Sequence, residues 1–367
     1  MMKYVYSLLL LLTTITSVQI MGMNPHLTPP QIEMCEKIKN LNVSDTHNVP
    51  TEEYKNTARE LIKHDLSIEI CVQRRVEEER NKARAKLEKE FKIAPNWEEH
   101  DVRVQKKCSE QAQHAHVTFD PSVPQKDVEF INKIIEKNNI KLPLRVEKKD
   151  SKANPEIGLM EDGKTFILTL TKQYDRHSTE AQEGLLLHEF THGTRGHDYY
   201  MDEIREELKK QALAYQNARI EAERGDTRTP FRTLFWIRNQ HSAEILAKAR
   251  EEEERYYAKI AKLQENPAYL AHARSLEFEA DMGPTAQGTL ENARAMACKT
   301  REVVTITPLS EVNKQSKHPA PLQMMYDVKR IVLLKEAAED VRNKTAQTNT
   351  PKPKGDAYFS QFNNQFE

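Results

Sequence analysis

Glycine is scarce in this sequence, and its scarcity restricts the possible folds more than any other feature. The chain has only ten glycines among 367 residues. All-β folds need many tight turns, where glycine supplies backbone conformations that other residues resist. Long segments such as Glu69–Phe91 lack both glycine and proline, so nothing in them interrupts a helix. The small number of glycines therefore argues against an all-β fold and favours helix.

Residues 23–118 are strongly charged and favour helix. Within Glu69–Phe91, a few apolar residues stand among many Glu, Lys and Arg residues. This pattern predicts two or three helices that bury only a thin apolar stripe. The proline-containing segment 119–124 breaks the pattern, and we place a domain boundary there.

Residues 1–22 have the pattern of a targeting segment. Lys3 gives a short basic start, and a largely apolar run from Tyr4 to Ile15 follows. Such a segment predicts a signal peptide and export to the periplasm or the medium. The alternative is an uncleaved membrane anchor, although this apolar run is shorter than a membrane span of about 20 residues.

Composition adds two limits. Lys and Arg number 55 against 56 Asp and Glu, a net charge of −1, so we expect no nucleic acid partner. The four cysteines, Cys35, Cys71, Cys108 and Cys298, are compatible with an oxidising compartment, but the sequence does not choose among the possible pairings. Four buried free thiols are the alternative.

Strand patterns follow the charged N-terminal region. Leu142–Val146 predicts a short strand, and Ile157–Met160 and Lys164–Leu170 flank a glycine-containing turn, as in a β-hairpin. A helix is predicted next, with Thr179 as its N-cap and Gly193 as its C-terminal stop.

The second predicted domain, residues 119–344, contains a helical hairpin at about residues 201–264. Gly225–Pro230 is its predicted turn, and an apolar stripe along one face is its packing seam. The final segment, 345–367, is rich in polar residues without periodicity, which predicts a disordered tail.

The segment His188–His192 reads His-Glu-Phe-Thr-His and matches the HExxH pattern. On a helix, residues four apart project side by side, so both imidazoles can reach one metal ion. Glu189 is not needed as a ligand and is free to take a proton from water. The pattern predicts a zinc site on a helix beside the small sheet, with Glu189 as general base.

A catalytic zinc needs a third protein ligand and an open position for water. One candidate, His197 or Asp198, lies close to the motif. The turn that would present these residues favours glycine, whereas this chain has Arg195. The other candidate, Glu277, lies on a later predicted helix, and we favour it.

The predicted helix around Glu277 begins at Asn266, a good N-cap, and ends at Gly283-Pro284. Glu277 and Asp281 share one face of this helix. Glu277 can therefore bind the metal while Asp281 accepts the free N–H of a ligand imidazole, which fixes the tautomer of that ring. Glu279 points in another direction, and we expect it on the surface.

HExxH followed by ExxAD on a later helix resembles the gluzincin metallopeptidases of the CAAX prenyl protease, HtpX, BepA and Oma group. The matching residues are His188–His192 and Glu277–Asp281. A third family element, Ser/Thr-x-His-Pro, resembles Ser316–Pro319, but the family's following arginine would fall at Met324. Without a second membrane segment, the chain is most similar to the soluble, exported members.

The resemblance implies a zinc-dependent metalloendopeptidase that acts on proteins or peptides. It also implies a mainly helical α+β fold with a small sheet beside the active-site helix. Its Zn²⁺ ligands would be His188, His192 and Glu277. Glu189 would move the proton of the attacking water, and His318 would stabilise the oxyanion. We expect the strand Thr165–Leu170 to pair with an extended substrate.

The alternative is an exported, chaperone-like interaction protein whose zinc site is latent or structural. Long charged helices would then bind its partners. The intact Glu189 favours the enzyme, since a structural site has no use for that carboxylate. A fourth metal position filled by His197, Asp198 or His318 would favour the interaction protein. The sequence leaves the oligomeric state open.

Overall fold

The computed structural model describes residues 27–349, apart from 44–48, 94, 152, 154, 226–233 and 307–320. Its elements in chain order are α1 (Pro29–Asn40), α2 (Glu52–Lys63), α3 (Ile68–Phe91), α4 (Trp97–Gln113), β1 (His116–Phe119), α5 (Gln125–Lys137), β2 (Pro143–Lys148), β3 (Glu156–Leu159), β4 (Phe166–Leu170), α6 (Thr179–Arg195), α7 (His197–Gly225), α8 (Leu234–Ala261), α9 (Pro267–Gln287), α10 (Leu290–Ile306) and α11 (Pro321–Asn349). Helices dominate and one four-stranded sheet accompanies them, which confirms the mainly helical α+β fold. The predicted targeting segment, residues 1–22, lies outside the described residues.

The described part of the charged N-terminal region contains four helices, more than the two or three expected. Side-chain caps set where two of them begin. The Ser67 hydroxyl accepts a hydrogen bond from Ile70 N at the start of α3, and the Asn96 side chain accepts one from Glu99 N at the start of α4. These caps satisfy backbone N–H groups that have no partner inside the helix.

One disulfide links two of these helices. Cys35 in α1 and Cys71 in α3 are bonded, which answers the pairing question that the sequence left open. Cys108 and Cys298 carry free thiols. The two bonded cysteines are 36 positions apart in the sequence, and the disulfide closes a loop that includes all of α2.

The sheet has the strand order β1-β2-β4-β3. β1, β2 and β4 run parallel, and β3 pairs antiparallel with β4, with Ile157 opposite Leu168. The predicted hairpin is confirmed, whereas β1 was not predicted because its alternation of polar and apolar residues extends over only four positions. The buried strand residues include Leu144, Val146, Phe166, Leu168 and Leu170.

The interior position of β4 overturns one expectation about substrate binding. We expected Thr165–Leu170 to pair with an extended substrate, but β4 already pairs with β2 on one side and β3 on the other. A strand has only two hydrogen-bonding edges, so no peptide can add to β4. The edge strands of this sheet are β1 and β3.

Helix α6 packs beside β3, and both of its ends differ from the prediction. Its N-cap is Ser178 rather than Thr179. Gly193 does not end the helix but remains helical, and a Cβ there would lie only 2.8 Å from a methyl carbon of Leu142. The helix ends at Gly196, whose φ of 66° gives the left-handed conformation of a helix stop.

Helices α7 and α8 form the predicted helical hairpin and pack against each other. α7 already begins at His197, before the predicted boundary at residue 201. Beyond Gly225, the predicted turn lies outside the described residues. The base of the hairpin packs on α3 and α9 through an apolar cluster that includes Leu87, Phe91, Ile204, Leu208, Tyr256 and Tyr269.

Helix α9 is longer than predicted. Asn266 caps its N-terminus by accepting hydrogen bonds from Ala268 N and Tyr269 N. Gly283-Pro284 does not end the helix, which continues to Gln287. A proline inside a helix costs about 3 kcal/mol. The packing of α9 against α3, α6, α10 and α11 outweighs that cost.

The C-terminal helix also extends further than expected. The sequence predicts a disordered tail from Thr345, but α11 continues to Asn349, and residues 350–367 lie outside the described part. Among the helices that the structure describes, none combines the length and apolar character needed to cross a membrane.

The largest apolar core draws on both predicted domains. It contains Tyr54 and Val76 from the N-terminal helices together with Phe166, Leu186 and Leu276. α3 packs along α9, so the helix that carries Glu277 rests directly on the N-terminal region.

Candidate metal centre

Two helices supply the side chains of the candidate metal centre. α6 carries His188 and His192 one turn apart, and α9, which packs against α6, carries Glu277. Leu186 and Phe190 are fully buried and hold α6 against the core. Within the described part of the chain, these two histidines and Glu277 form the one group of three ligand-type side chains close enough to share an ion.

The three candidate ligand atoms form a nearly equilateral triangle. His188 Nε2 lies 3.2 Å from His192 Nε2, and Glu277 Oε2 lies 3.2 Å from the first nitrogen and 3.4 Å from the second. A tetrahedral zinc with bonds of about 2.0–2.1 Å requires ligand atoms about 3.3–3.4 Å apart. Two imidazole nitrogens and one carboxylate oxygen are also the donor types of many catalytic zinc sites. Spacing and chemistry both fit zinc.

The outer nitrogen of His188 contacts a carboxylate. His188 Nδ1 lies 2.8 Å from Asp281 Oδ1, and Lys299 of α10 donates to the same oxygen. Burial and Lys299 lower the pKa of His188, but Asp281 and Glu277 outweigh them and raise it to about 9. Burial of Asp281 is similarly outweighed by Lys299 and His188, which hold the pKa of that carboxyl well below its usual range. Asp281 therefore stays ionised and accepts the Nδ1–H of His188, so that Nε2 faces the metal position.

The outer nitrogen of His192 contacts a third histidine. His192 Nδ1 lies 2.8 Å from His197 Nδ1, and His197 Nε2 lies 3.3 Å from Glu279 Oε2. Arg80 of α3 pairs with the same carboxylate oxygen. Burial is the main cause that lowers the pKa of His197 to about 4, so its ring is neutral. We call His197, Glu279 and Arg80 the His197 network.

This network corrects the expectation that Glu279 lies on the surface. The side chain is buried, because α9 has helices on several sides. Despite burial, Arg80, His197 and Arg195 hold the pKa of Glu279 well below its usual range. Glu279 therefore remains a buried carboxylate.

Neither alternative third ligand takes part in the triangle. His197 faces the Nδ1 side of His192, whereas the triangle uses Nε2. Asp198 Oδ2 accepts a hydrogen bond of 2.8 Å from Leu159 N in β3. The structure thus brings Glu277, rather than His197 or Asp198, against the two histidine Nε2 atoms.

Glu189 is buried beside the candidate ligands and lies outside their triangle. Its Oε2 accepts a hydrogen bond of 2.9 Å from Ile157 N in β3. Burial raises the pKa of Glu189, and the nearby His188 and His192 oppose that rise. Together with Asp198, Glu189 therefore ties the edge strand β3 to the helices of the site.

The remaining predicted site residue, His318, lies outside the described residues. Sequence reasoning missed both Lys299 and the His197 network. One usable signal existed for Glu279. Apolar residues lie on two opposite sides of α9, Leu276 and Ala280 on one and Phe278 and Met282 on the other, which indicates a helix with more than one buried face. For Lys299 and Arg80, no local pattern marks the contact, because each reaches the site from another helix.

Comparison with known proteins does not identify a family for this chain. The chain matches no family model, no curated protein and no solved structure. The resemblance to gluzincin peptidases therefore rests on the HExxH and ExxAD residues, and the functional argument rests on the geometry of the site.

Proposed function

We propose that the protein is a zinc-dependent metalloendopeptidase. One observation carries the proposal: His188 Nε2, His192 Nε2 and Glu277 Oε2 lie 3.2–3.4 Å apart. Structural zinc sites usually use four protein ligands, whereas catalytic sites use three and keep a position open. The proposal is supported by three candidate ligands among the described residues, with the buried Glu189 next to them.

The residues around the site have distinct roles in the proposed hydrolysis. Zinc bound there would lower the pKa of a water molecule and polarise the substrate carbonyl. Glu189 accepts a proton from the attacking water as the water oxygen adds to the carbonyl carbon. It then gives that proton to the peptide nitrogen as the C–N bond breaks, which releases an acid and an amine. Asp281 orients His188 throughout, and His318 remains our candidate for stabilising the oxyanion.

We also propose that the protein is exported. Residues 1–22 have the pattern of a signal peptide, and the Cys35–Cys71 disulfide supports an oxidising compartment. The alternative is that the same segment remains as a membrane anchor. The mass of the protein and its distribution between soluble and membrane fractions separate these outcomes.

Glu189→Gln tests the proposed chemistry. The amide keeps the size of the side chain but cannot act as a base, so zinc content should stay and casein hydrolysis should fall about 10²–10⁴-fold. Glu183→Gln is the matched control on the same helix, because Glu183 pairs with Lys137, and it should keep both properties.

Two outcomes of this experiment would contradict the proposal. Hydrolysis at the wild-type rate in Glu189→Gln would remove Glu189 as the base. A wild-type protein that holds zinc but hydrolyses nothing would favour the chaperone-like alternative with a structural site.

A further inference from the structure

The two candidate histidine ligands have different supports. A carboxylate contacts His188 directly, whereas Glu279 reaches His192 only through the ring of His197. We propose that His197 is a positioning residue, held by Glu279 and Arg80, that fixes the tautomer of His192. The proposal rests on the zinc site proposed above and extends it to residues that do not contact the metal.

The position of each hydrogen follows from the carboxylate at the end of the network. Glu279 pairs with Arg80, and a carboxylate can only accept hydrogen bonds. His197 Nε2 must therefore carry the hydrogen in its 3.3 Å contact with Glu279. Arg80 already supplies the positive charge that faces Glu279, so the buried His197 ring needs no charge of its own and has one N–H. His197 Nδ1 is therefore an acceptor, and His192 Nδ1 donates in the 2.8 Å contact.

This arrangement leaves His192 in the form that binds a metal. With its hydrogen on Nδ1, the ring has a lone pair on Nε2, the atom that belongs to the ligand triangle. The opposite tautomer would place a hydrogen where the metal must bind. The His197 network thus does for His192 what a single carboxylate does for His188.

The backbone delivers His197 to this position. His197 is only 2% exposed, and it directly follows Gly196, whose φ of 66° turns the chain from α6 into α7. A Cβ at Gly196 would lie 2.6 Å from Cys108 Sγ. The left-handed turn and the close contact both favour glycine at this position. The backbone conformation at Gly196 that brings His197 against His192 is therefore restricted.

The tautomer can be measured without zinc and without activity. NMR of the metal-free, full-length protein with isotope-labelled histidine should show the His192 hydrogen on Nδ1 alone. In His197→Phe, which keeps an aromatic ring but has no acceptor, the hydrogen should exchange between both nitrogens. His197→Gln can accept from His192 and donate to Glu279, so it should restore the wild-type pattern.

Zinc affinity gives the second readout. His197→Phe should raise the Kd for Zn²⁺ about 10–100-fold, the usual effect of losing a partner behind a metal ligand. His197→Gln should stay close to wild type. His272→Phe is the matched control, because His272 is another buried imidazole, and neither of its ring nitrogens has a hydrogen-bond partner in the described part of the chain.

The outcomes separate this proposal from the peptidase proposal. A wild-type His192 that carries its hydrogen on Nε2 would overturn the positioning role, and this measurement needs no variant. Equal zinc affinity in wild type and His197→Phe would also overturn it while leaving the peptidase intact. A wild type that binds no zinc would end the peptidase proposal, and the NMR spectra would still decide the tautomer.

Discussion

Two groups of buried or partly buried histidines lie in neighbouring parts of this protein and have different surroundings. In the metal centre, His188, His192 and His197 contact polar atoms at both ring nitrogens. The second group, which we call the aromatic group, consists of Trp97, His100, Tyr200 and His272. Within the described residues, neither nitrogen of His272 has a hydrogen-bond partner, and its ring stacks on Trp97 with centroids 6.3 Å apart.

The comparison shows that burial alone does not make an imidazole a ligand. Burial, followed by the charges of Arg84 and Arg80, lowers the pKa of His272 well below its ordinary value, so the ring is neutral. A cation lies over the neighbouring Trp97 ring, since the guanidinium carbon of Arg84 is 4.7 Å from its centre. A metal ligand needs an acceptor behind it, and within the described residues His272 has none.

Removing a ligand of the metal centre should have the largest effect. Glu277→Ala should lose bound zinc as completely as His188→Ala, because each removes one corner of the triangle. Asp198→Ala should retain zinc, since Asp198 binds the backbone of β3 instead. Metal analysis of the purified variants measures this. Zinc retained in Glu277→Ala but lost in Asp198→Ala would reverse the assignment.

A smaller change behind the ligands should weaken zinc binding without abolishing it. Asp281→Asn keeps an oxygen that can accept from His188 but removes the negative charge. Zinc affinity should therefore fall about 10–100-fold, and a chelator competition titration against wild type measures the loss. Indistinguishable curves would mean that Asp281 does not support His188 and would weaken the contrast with the aromatic group.

In the aromatic group, the expected effect is on stability at low pH. Below the ordinary His pKa of 6.5, the unfolded chain protonates His272 and the folded chain does not. Because the unfolded state then binds one more proton, stability falls with decreasing pH by up to about 1.4 kcal/mol per pH unit. His272→Phe removes this contribution, and at neutral pH its free energy of unfolding should change by no more than about 1 kcal/mol.

Urea unfolding of wild type and His272→Phe, each at about pH 5 and about pH 7.5, measures this difference. The variant should lose less stability than wild type on acidification. An equal loss in both proteins would show that His272 takes up its proton as readily in the folded as in the unfolded state.

Sequence analysis was most successful for residues that lie on the same face of one helix. His188 and His192, and likewise Glu277 and Asp281, lie one turn apart on single helices, so each pair shares a face without further information. The packing of α6 against α9 then brings the two pairs together. The β-hairpin was equally local, because a glycine-containing turn separates two apolar runs.

Contacts between distant segments were beyond such reasoning. Arg80 and Glu279 are 199 residues apart, and nothing near either residue marks the other as a partner. The expected helix stop at Gly283-Pro284 failed for a related reason: local preference favoured an end, but packing on several sides carried α9 further. Gly193 was misassigned because its small size serves contact with Leu142 rather than a left-handed turn.

Arg80 also makes the metal centre dependent on the N-terminal helices. Cutting the chain after residue 118, at the predicted domain boundary, would keep all three candidate ligands and Glu189. It would remove the guanidinium that faces Glu279, and leaving a buried charge without its partner costs about 3–5 kcal/mol. It would also remove α3, the helix that packs along α9. Grafting α6 and α9 onto another scaffold would therefore transfer the candidate ligands without Arg80 and without the packing of α3 that supports them.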